Sequence, residues 1–310
     1  MAEPEQPLEE HAGDGAPPGA AAWLDEVLAV LVLYKCPLAD SATFQSLDGA
    51  LARSGGRLEL VVYDNSPTPA ELPPDVESAR WLLRHLHDPS NPGVSRAYRE
   101  GARIATERGK RWLLFLDQDT RFGEDVLEAY VTAIHAHPAV RLFAPRLRAR
   151  RANISPCRYQ ALRGAPLEGI EPGVHRLDSL SVLNSGMCVA TEAYSRAGGH
   201  DTAIPLDFSD HEFVGRFRRL YPEFALVDTG GEHGLSAAEE QSVENRLRRF
   251  DQYCAGARRV TGPATPRPRF VFVVLARAMR LALRHRHPGF LRIFAAHCGV
   301  PSARRPAPRE

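Results

Sequence analysis

Three apolar runs, each ended by polar residues, limit what this chain can fold into more than any other feature of its sequence. The runs cover residues 27–33, 58–63 and 112–116, and Glu59 in the second is their one charged residue. Apolar runs of this length are typical of strands that are buried on both faces. Helix-like segments at 94–108 and 124–136 follow the second and third runs. Strands alternating with helices predict an α/β fold with a mostly parallel, doubly wound sheet.

The polar residues that end the runs are the first candidates for a site, because such sheets bind ligands at the carboxyl ends of their strands. They are Tyr34-Lys35, Asp64-Asn65 and Asp117-Gln118-Asp119. Further strands are predicted at 140–144, 182–190 and 224–228, a short helix at 191–198, and a helix that ends near residue 220. The region 150–180 is rich in Arg, Pro and Gly and is predicted to be a loop.

Composition excludes several classes of protein. The chain has 310 residues, enough for one large or two small domains, and its 39 Lys and Arg against 38 Asp and Glu do not indicate a nucleic-acid partner. Its five cysteines form no Cys-x-x-Cys pair, which argues against a disulfide scaffold or a structural zinc site and favours a cytoplasmic location. The apolar stretch 270–283 contains two arginines and is too short to span a bilayer.

The two ends of the chain differ in composition from its middle. The first 26 residues carry seven acids and neither Lys nor Arg, so they do not resemble a signal peptide. Residues 1–22, with Pro17, Pro18 and several Gly and Ala, are predicted to be a disordered acidic tail. We place the main domain at 23–236 and a basic, helical C-terminal region at 237–310.

Asp117 and Asp119 lie two residues apart at the end of the third apolar run. Side chains at i and i+2 of an extended chain point the same way, and adjacent carboxylates repel unless a cation lies between them. The pair therefore suits Mg²⁺ or Mn²⁺, which carboxylates hold together with substrate phosphate oxygens. A solvated turn with two acids is the alternative that these two residues leave open.

An ordered set of short motifs extends over residues 27–236. It comprises Tyr34 after a strand, Asp64-Asn65-Ser66, Asn91-Pro92-Gly93, Asp117-Gln118-Asp119, Asn184-Ser185-Gly186 and Asp207-Phe208-Ser209-Asp210-His211-Glu212-Phe213. The set resembles the family 2 glycosyltransferases with the GT-A fold, and within them the rhamnosyltransferase-like branch of bacteria. The resemblance implies a Rossmann-like, mostly parallel sheet flanked by helices, followed by a C-terminal helical extension.

The resemblance also implies an activity. It is the inverting transfer of a sugar from a nucleoside diphosphate sugar, such as dTDP-rhamnose, to a hydroxyl of a cell-surface glycan or a lipid-linked precursor. Asp210 matches the general base of the family and Glu212 is the second acid of that motif. Asp117, Asp119 and His233 match the positions that hold the metal on the diphosphate.

The remaining matched positions are assigned by the resemblance to the nucleotide-sugar site. Tyr34 would lie against the base, and Asp64 would bond to the base or ribose. The other positions of this group are Asn65, Asn91, Gly93, Asp117 and Gly186. Leu33 and Lys35 flank Tyr34 where the family usually has Thr and Asn, and Arg99 replaces a usual Asn, so the specificity for base and sugar stays open.

Two other functions compete with this interpretation. A sugar nucleotidyltransferase would need a glycine-rich, basic triphosphate loop after the first strand, and residues 34–39 contain no glycine. A non-catalytic scaffold of the same fold is disfavoured because the metal acids and the candidate base are all present. Asp207 and Asp210 alone would also be compatible with simple N-terminal acids of the following helix.

The C-terminal region is strongly basic. Residues 267–310 contain ten Arg and a single acid, Glu310. On a helix, Arg277, Arg280 and Arg284 would share one face, opposite a face formed by Phe272, Leu275, Met279 and Ala282. Such a helix either lies on an anionic membrane, at the inner face of the plasma membrane, or packs its apolar face on the catalytic domain.

Overall fold

The computed structural model of the chain describes residues 19–73, 80–160, 162–234, 242–261 and 268–298. Its strands are β1 (Val27–Leu33), β2 (Leu58–Asp64), β3 (Trp81–His87), β4 (Trp112–Asp117), β5 (Thr120–Phe122), β6 (Leu142–Ala149), β7 (Ala152–Ser155), β8 (Cys157–Gln160), β9 (Arg163–Pro166), β10 (Gly173–Arg176), β11 (Leu180–Ser181), β12 (Cys188–Ala190) and β13 (Glu223–His233). Its α-helices are α1 (Ala20–Asp25), α2 (Ala42–Ser54), α3 (Val94–Glu107), α4 (Val126–Ala136), α5 (Thr191–Arg196), α6 (Ser209–Phe217), α7 (Val243–Thr261), α8 (Pro268–His285) and α9 (Gly289–Cys298).

A mixed sheet forms the centre of the molecule, with the strand order β10-β13-β6-β12-β4-β1-β2-β3. Strands β3, β2, β1 and β4 are parallel, so their carboxyl ends meet at one edge. β12 runs antiparallel between β4 and β6, while β6 and β13 are parallel. Strands β11, β8 and β9 form a separate small sheet.

The predicted fold class is confirmed: the chain is an α/β protein with a mostly parallel central sheet, flanking helices and a C-terminal helical extension. The three apolar runs form β1, β2 and β4, and every residue of β1 and β2 is buried. Helices α3, α4 and α5 begin and end within two or three residues of the predicted positions. The hydrophobic pattern therefore identified three of the parallel strands whose carboxyl ends meet at one edge.

Two predictions for the middle of the chain are wrong. Residues 150–180, predicted as a loop, contain β7 to β10 and the start of β11. Within the predicted strand 182–190 only residues 188–190 lie in the sheet. Gly186 has a φ of +78°, and Met187 N donates to Asn184 O, so the preceding residues form a turn.

Two hydrophobic cores hold the described residues together. The larger one lies between the central sheet and helices such as α3 and α4. The smaller one joins α7, α8 and α9 and includes Ile204 and Phe208, which precede α6. Because Phe208 belongs to the smaller core, the C-terminal helices support the segment that carries the candidate base.

Only part of each chain end for which a prediction was made lies within the described residues. Residues 1–18 of the predicted tail lie outside the described residues, whereas 20–22 belong to α1. The predicted domain boundary after residue 236 also lies outside them. In the part of the chain that the structure describes, no helix combines the length and the apolar character needed to cross a membrane.

The predicted faces of α8 are wrong in one respect. The helix buries Phe270, Val274 and Ala278 in the smaller core. The Arg277 guanidinium does not join the exposed arginines, because it lies 3.9 Å from the ring centroid of Tyr253 on α7. Helical spacing in the sequence did not distinguish the buried apolar side of this helix from its exposed apolar side, which carries Phe272 and Met279.

Candidate active site

The acid pair Asp117 and Asp119 lies where β4 ends, at the carboxyl edge of the parallel strands. The hydroxyl of Tyr98, on α3, donates a 2.8 Å hydrogen bond to Asp117 Oδ1. The hydroxyl of Thr43, in the first turn of α2, donates to the main-chain oxygens of Asp117 and Thr120. These bonds hold the turn between β4 and β5, and both acids remain partly exposed at its surface.

His233 reaches the same edge because β5 and β13 pair with His233 opposite Thr120. His233 Nδ1 lies 2.7 Å from Thr120 Oγ1 and 3.5 Å from Asp119 Oδ1. Thr120 Oγ1 also lies 2.7 Å from Ser185 Oγ. With Nδ1 held in this way, Nε2 is the ring nitrogen that is suited to a ligand.

Negative charge gathers at this edge. Burial raises the pKa of Asp117 above its ordinary value, and the charges of Asp119 and Asp210 raise it further, although His233 and Tyr98 act in the opposite direction. Burial and the same three carboxylates raise the pKa of the Tyr98 hydroxyl. A cation placed here would relieve the repulsion among the carboxylates.

The donor groups fit a divalent cation that is shared with a substrate. Asp119 offers a carboxylate, the kind of ligand that suits both Mg²⁺ and Mn²⁺. His233 offers an imidazole beside it. Across the described ranges, no three or more His, Cys, Asp and Glu are grouped closely enough to hold a metal on their own. Mg²⁺ often uses one or two carboxylates with phosphate oxygens, so the arrangement fits an ion on a diphosphate better than a structural ion.

Asp210 lies in the first turn of α6, on the other side of this edge. Its Oδ1 accepts a 2.7 Å hydrogen bond from His211 N and lies 3.8 Å from His211 Nε2. The His211 ring stacks on Tyr159 of β8, with 3.8 Å between the ring centroids, and its Nδ1 lies 2.7 Å from Ser181 Oγ. The small sheet thus covers the turn that carries Asp210, although the sequence predicted a loop there.

Glu212 has a setting different from that of Asp210. Its two carboxylate oxygens accept hydrogen bonds of 2.5 Å and 2.7 Å from Arg216, one turn later on α6. Arg216 also donates to the main-chain oxygens of Ala197 and Gly199. The ion pair therefore ties α6 to the segment that follows α5 and occupies both oxygens of Glu212.

A buried network that the sequence analysis missed fixes the start of α6. His200 is fully buried, with Nε2 2.9 Å from Asn184 Oδ1 and Nδ1 3.0 Å from Tyr194 Oη. Asn184 Nδ2 donates to Ser209 Oγ at 3.0 Å. Since an amide oxygen only accepts, His200 must donate from Nε2, which selects its neutral tautomer. Burial, with Arg216 and Arg99 nearby, lowers the pKa of His200 to about 3.

Tyr34 lies at the end of β1, and 43% of its surface is exposed. Its main-chain N donates to Gln118 Oε1 at 2.7 Å, and Gln118 Nε2 donates back to Tyr34 O at 3.3 Å. The side chain of Gln118, which lies between the two acids in the sequence, therefore joins the end of β1 to the acid pair. Gln118 carried no role in the sequence analysis, because an amide between two acids is an unremarkable pattern.

Asp64 is fully buried at the end of β2. Its oxygens accept hydrogen bonds from the main-chain N of Ser66 at 2.9 Å and of Ala70 at 2.6 Å. Burial alone would raise the pKa of Asp64, but these bonds and His85 lower it. Asp64 thus shapes the loop after β2, while the Oδ1 atom of the neighbouring Asn65 is buried without a hydrogen-bond partner in the described chain.

The glycines of the predicted site shape the backbone. Gly93 precedes α3 with a φ of +93°, and a Cβ there would lie 2.1 Å from Pro205 O. Val94 N donates to the same oxygen at 2.7 Å, which brings α3 against the segment before α6. Asn91 has a left-handed φ of +50° in the turn before it. At Gly186, a Cβ would lie 2.6 Å from Pro145 Cγ.

Comparison with known proteins gives a family match for part of the chain. Residues 42–158 match the family model described as glycosyl transferase family 2. This region, less than half of the chain, is therefore similar to the family 2 glycosyltransferases. The matched residues include Asp64, the Asn91–Gly93 turn and the Asp117–Asp119 pair, while Asp210 and His233 lie beyond them. A search of curated proteins found no match.

Solved structures similar to this chain include TarS of S. aureus. TarS 1–349 shares 12% sequence identity at a TM-score of 0.48, with 87% of this chain and 72% of that chain covered. TarS 1–349 in complex with UDP-GlcNAc gives the same identity and TM-score, with 87% and 73% covered.

Proposed function

We propose that this chain is an inverting glycosyltransferase that moves a sugar from a nucleoside diphosphate sugar to an acceptor hydroxyl. One observation carries the proposal: Asp117, Asp119, His233 and Asp210 converge at the carboxyl edge of the parallel strands. Strands β2, β3 and β4 of this edge, with Asp117 and Asp119, lie within the residues that match the family 2 model. Open α/β sheets bind their ligands at such an edge.

Asp210 is the proposed general base. An acceptor hydroxyl is a weak nucleophile, and a positioned carboxylate that takes its proton contributes about 10²–10⁴-fold to a rate. The Asp210 carboxylate is partly exposed and accepts a main-chain hydrogen bond on Oδ1 only. A second oxygen thus stays available for the acceptor, whose oxygen attacks the anomeric carbon from the side opposite the leaving diphosphate and inverts it.

Three residues are proposed to position Asp210 without touching substrate. Glu212 holds Arg216 and through it the segment before α6. Asn184 and His200 hold Ser209, the residue that precedes the base. Although Glu212 matches the second acid of the motif, its occupied oxygens favour this positioning role over direct catalysis.

Asp119 and His233 are proposed to hold Mg²⁺ or Mn²⁺, with Asp117 beside them. A bound divalent cation would stabilise the charge that develops on the diphosphate as the sugar leaves. The Tyr98 hydroxyl orients Asp117, and Thr120 orients His233, so the chain prepares both groups before the donor binds.

The donor is proposed to lie along the ends of β1, β2 and β4. The exposed Tyr34 ring is suited to stack on the base. The unpartnered Asn65 Oδ1 would accept a hydrogen bond from a base N–H, and the loop after β2 that Asp64 organises would contact the ribose. We propose dTDP-rhamnose as the donor, following the rhamnosyltransferase-like motif order, and a cell-surface polysaccharide or its lipid-linked precursor as the acceptor.

The proposed lipid-linked acceptor implies a location for the protein in the cell. We propose a cytoplasmic protein that contacts the inner face of the plasma membrane through its basic C-terminal helices.

The alternative of a sugar nucleotidyltransferase is disfavoured by the glycine-free segment 34–39. That alternative predicts that the protein would cleave a nucleoside triphosphate. A non-catalytic scaffold predicts no metal-dependent nucleotide binding.

Calorimetry of nucleotide binding tests the proposal first. Titrations with dTDP, UDP and GDP, with and without Mn²⁺, would be made on the wild type and on Asp119→Ala. We expect metal-dependent binding of one nucleotide, with loss of the metal effect in the variant. Asp178→Ala is the matched control, because Asp178 is an exposed acid whose carboxylate pairs with Arg176, an exposed residue outside the site. Equal binding by the wild type and Asp119→Ala would contradict the proposal.

A further inference from the structure

Helix α8 exposes a second apolar stripe that belongs to neither hydrophobic core of the described residues. Phe272 and Leu283 are 69% and 79% exposed, the highest values among the large apolar residues of the described chain, and Met279 is 46% exposed. The spacing of seven and four residues places the three on one side of the helix. The side formed by Phe270, Val274 and Ala278 is already buried, so this stripe is not the helix's contact with the core.

The stripe lies on a basic, acid-free segment of the chain. Arg280 and Arg284 are exposed and follow Met279 and Leu283 by one residue each. The sequence of α8, α9 and the turn between them, residues 268–298, contains six Arg and no Asp or Glu. On α9, Leu291 is also exposed, beside Arg292. An anionic lipid surface binds an apolar stripe that is bordered by arginines, because the lipids offer acyl chains to the apolar side chains and negative headgroups to the arginines.

We propose that α8 lies on an anionic membrane surface, with Phe272, Met279 and Leu283 inserted at the level of the headgroups. Two other occupants fit less well. A second copy would bring two acid-free basic surfaces together, which like charge opposes. The acidic residues 1–18 would match the charge but contain only Leu8 as a large aliphatic residue besides Met1.

The position of α8 connects this surface to the proposed reaction. Its opposite side carries Arg277, whose guanidinium lies over Tyr253, and the charge of Arg277 acts on Asp207. Asp207 precedes the proposed base Asp210 by three residues. The acceptor side of the site is therefore separated from the surface by about the thickness of one helix, ~10 Å. For this step the inference rests on the proposed function, whereas the membrane contact itself does not.

Sedimentation with vesicles tests the inference on the full chain. We expect the wild type to bind vesicles of phosphatidylcholine that contain about 30% phosphatidylglycerol. It should not bind vesicles of pure phosphatidylcholine. The double variant Phe272→Ser/Leu283→Ser should weaken binding at least ~10-fold, and Arg280→Glu/Arg284→Glu should do the same. Leu220→Ser is the matched control, since Leu220 is 55% exposed in a turn after α6 and should bind like the wild type.

Three results would overturn the inference. They are no binding by the wild type, equal binding by the Ser variants, and a wild-type dimer that becomes monomeric in the Ser variants without any vesicle binding. A thermal unfolding midpoint for each variant confirms that the fold survives. If the wild type does not bind, a variant lacking residues 1–18 shows whether the acidic segment occupies the stripe in the full chain. Nucleotide calorimetry on the same samples separates failure of the membrane contact from failure of the proposed function.

Discussion

The hydroxyl of Tyr98 donates a 2.8 Å hydrogen bond to Asp117 Oδ1, which joins the buried face of α3 to the end of β4. Tyr98 is fully buried and packs against Phe115 and His200, so its hydroxyl has little freedom to move. The bond stabilises the charged form of Asp117, in a site where burial and two further carboxylates oppose that charge. Tyr98 thus supports an acid of the proposed metal site from behind.

Tyr98→Phe should weaken the metal-dependent part of nucleotide binding. The change removes one oxygen atom and keeps the ring in place, and loss of an outer partner of a metal ligand typically costs 10–100-fold in affinity. We expect at least a ~10-fold rise in the Mn²⁺ concentration that half-saturates nucleotide binding. Tyr221→Phe, at a ring outside the site that packs on Phe217, is the control. An unchanged Mn²⁺ dependence in Tyr98→Phe would mean that Asp117 needs no such support.

Asp210→Asn should abolish most transfer while leaving the donor bound. The amide cannot take the acceptor proton, so the rate of transfer should fall by about 10²–10⁴-fold. Nucleotide affinity, measured by calorimetry, should stay within about twofold, because Asp210 lies outside the proposed ligand set. Glu212→Gln should act differently, since it weakens the bond to Arg216: it should lower the thermal midpoint together with the rate. A wild-type rate in Asp210→Asn would remove Asp210 from the base role.

Gly93→Ala should be far more costly than Gly109→Ala, although both glycines have a positive φ. The two φ values are +93° and +65°, but a Cβ at Gly93 would meet Pro205 O at 2.1 Å, whereas nothing lies within 4 Å of a Cβ at Gly109. Gly109→Ala should therefore cost about 1 kcal/mol of unfolding free energy from backbone strain alone. Gly93→Ala must also move the segment before α6, so we expect a cost above ~3 kcal/mol or failure to fold. Denaturant unfolding of both variants decides this, and equal costs would show that the Pro205 contact relaxes easily.

The sequence predicted the acids of the site better than the residues that hold them. Asp117 and Asp119 were found because an apolar run that stops at two acids is visible along the chain. Tyr98, by contrast, is one of several residues on the buried side of α3, and only the packing of α3 on β4 shows that its hydroxyl meets Asp117. The pairing of His211 with Tyr159 requires β8, which lies in a segment too rich in Arg and Gly to predict as a strand.

Edge strands and helix faces were predicted poorly for a related reason. β3 contains Arg84, His85 and His87, and it forms the edge of the sheet, where polar residues reach solvent and blur the hydrophobic pattern. α8 is apolar on two sides, so periodicity alone does not tell which side packs on α7. The neighbours decide it: Phe270 and Val274 join the smaller core, and Arg277 is drawn in by the Tyr253 ring.

His200 should make the protein less stable as the pH falls below about 6.5. The unfolded chain takes up a proton on this histidine near its ordinary pKa, while the folded chain, where the pKa is about 3, does not. The unfolded state therefore binds more protons between these values, and the free energy of unfolding decreases by up to about 1.4 kcal/mol per pH unit. From pH 7 to pH 5 the contribution of His200 should reach about 2 kcal/mol.

This pH effect is measurable as a difference between variants. Denaturant unfolding of the wild type and of His200→Gln at pH 7 and pH 5 should show that the variant loses about 2 kcal/mol less over this range, since it cannot take up the proton. His137→Gln, which replaces a histidine after α4, is the control and should follow the wild type. If His200→Gln does not fold, the His200 ring can be followed in the wild type by NMR, where its signals should not titrate down to about pH 4. A ring that titrates near pH 6 would contradict both the buried network and its neutral tautomer.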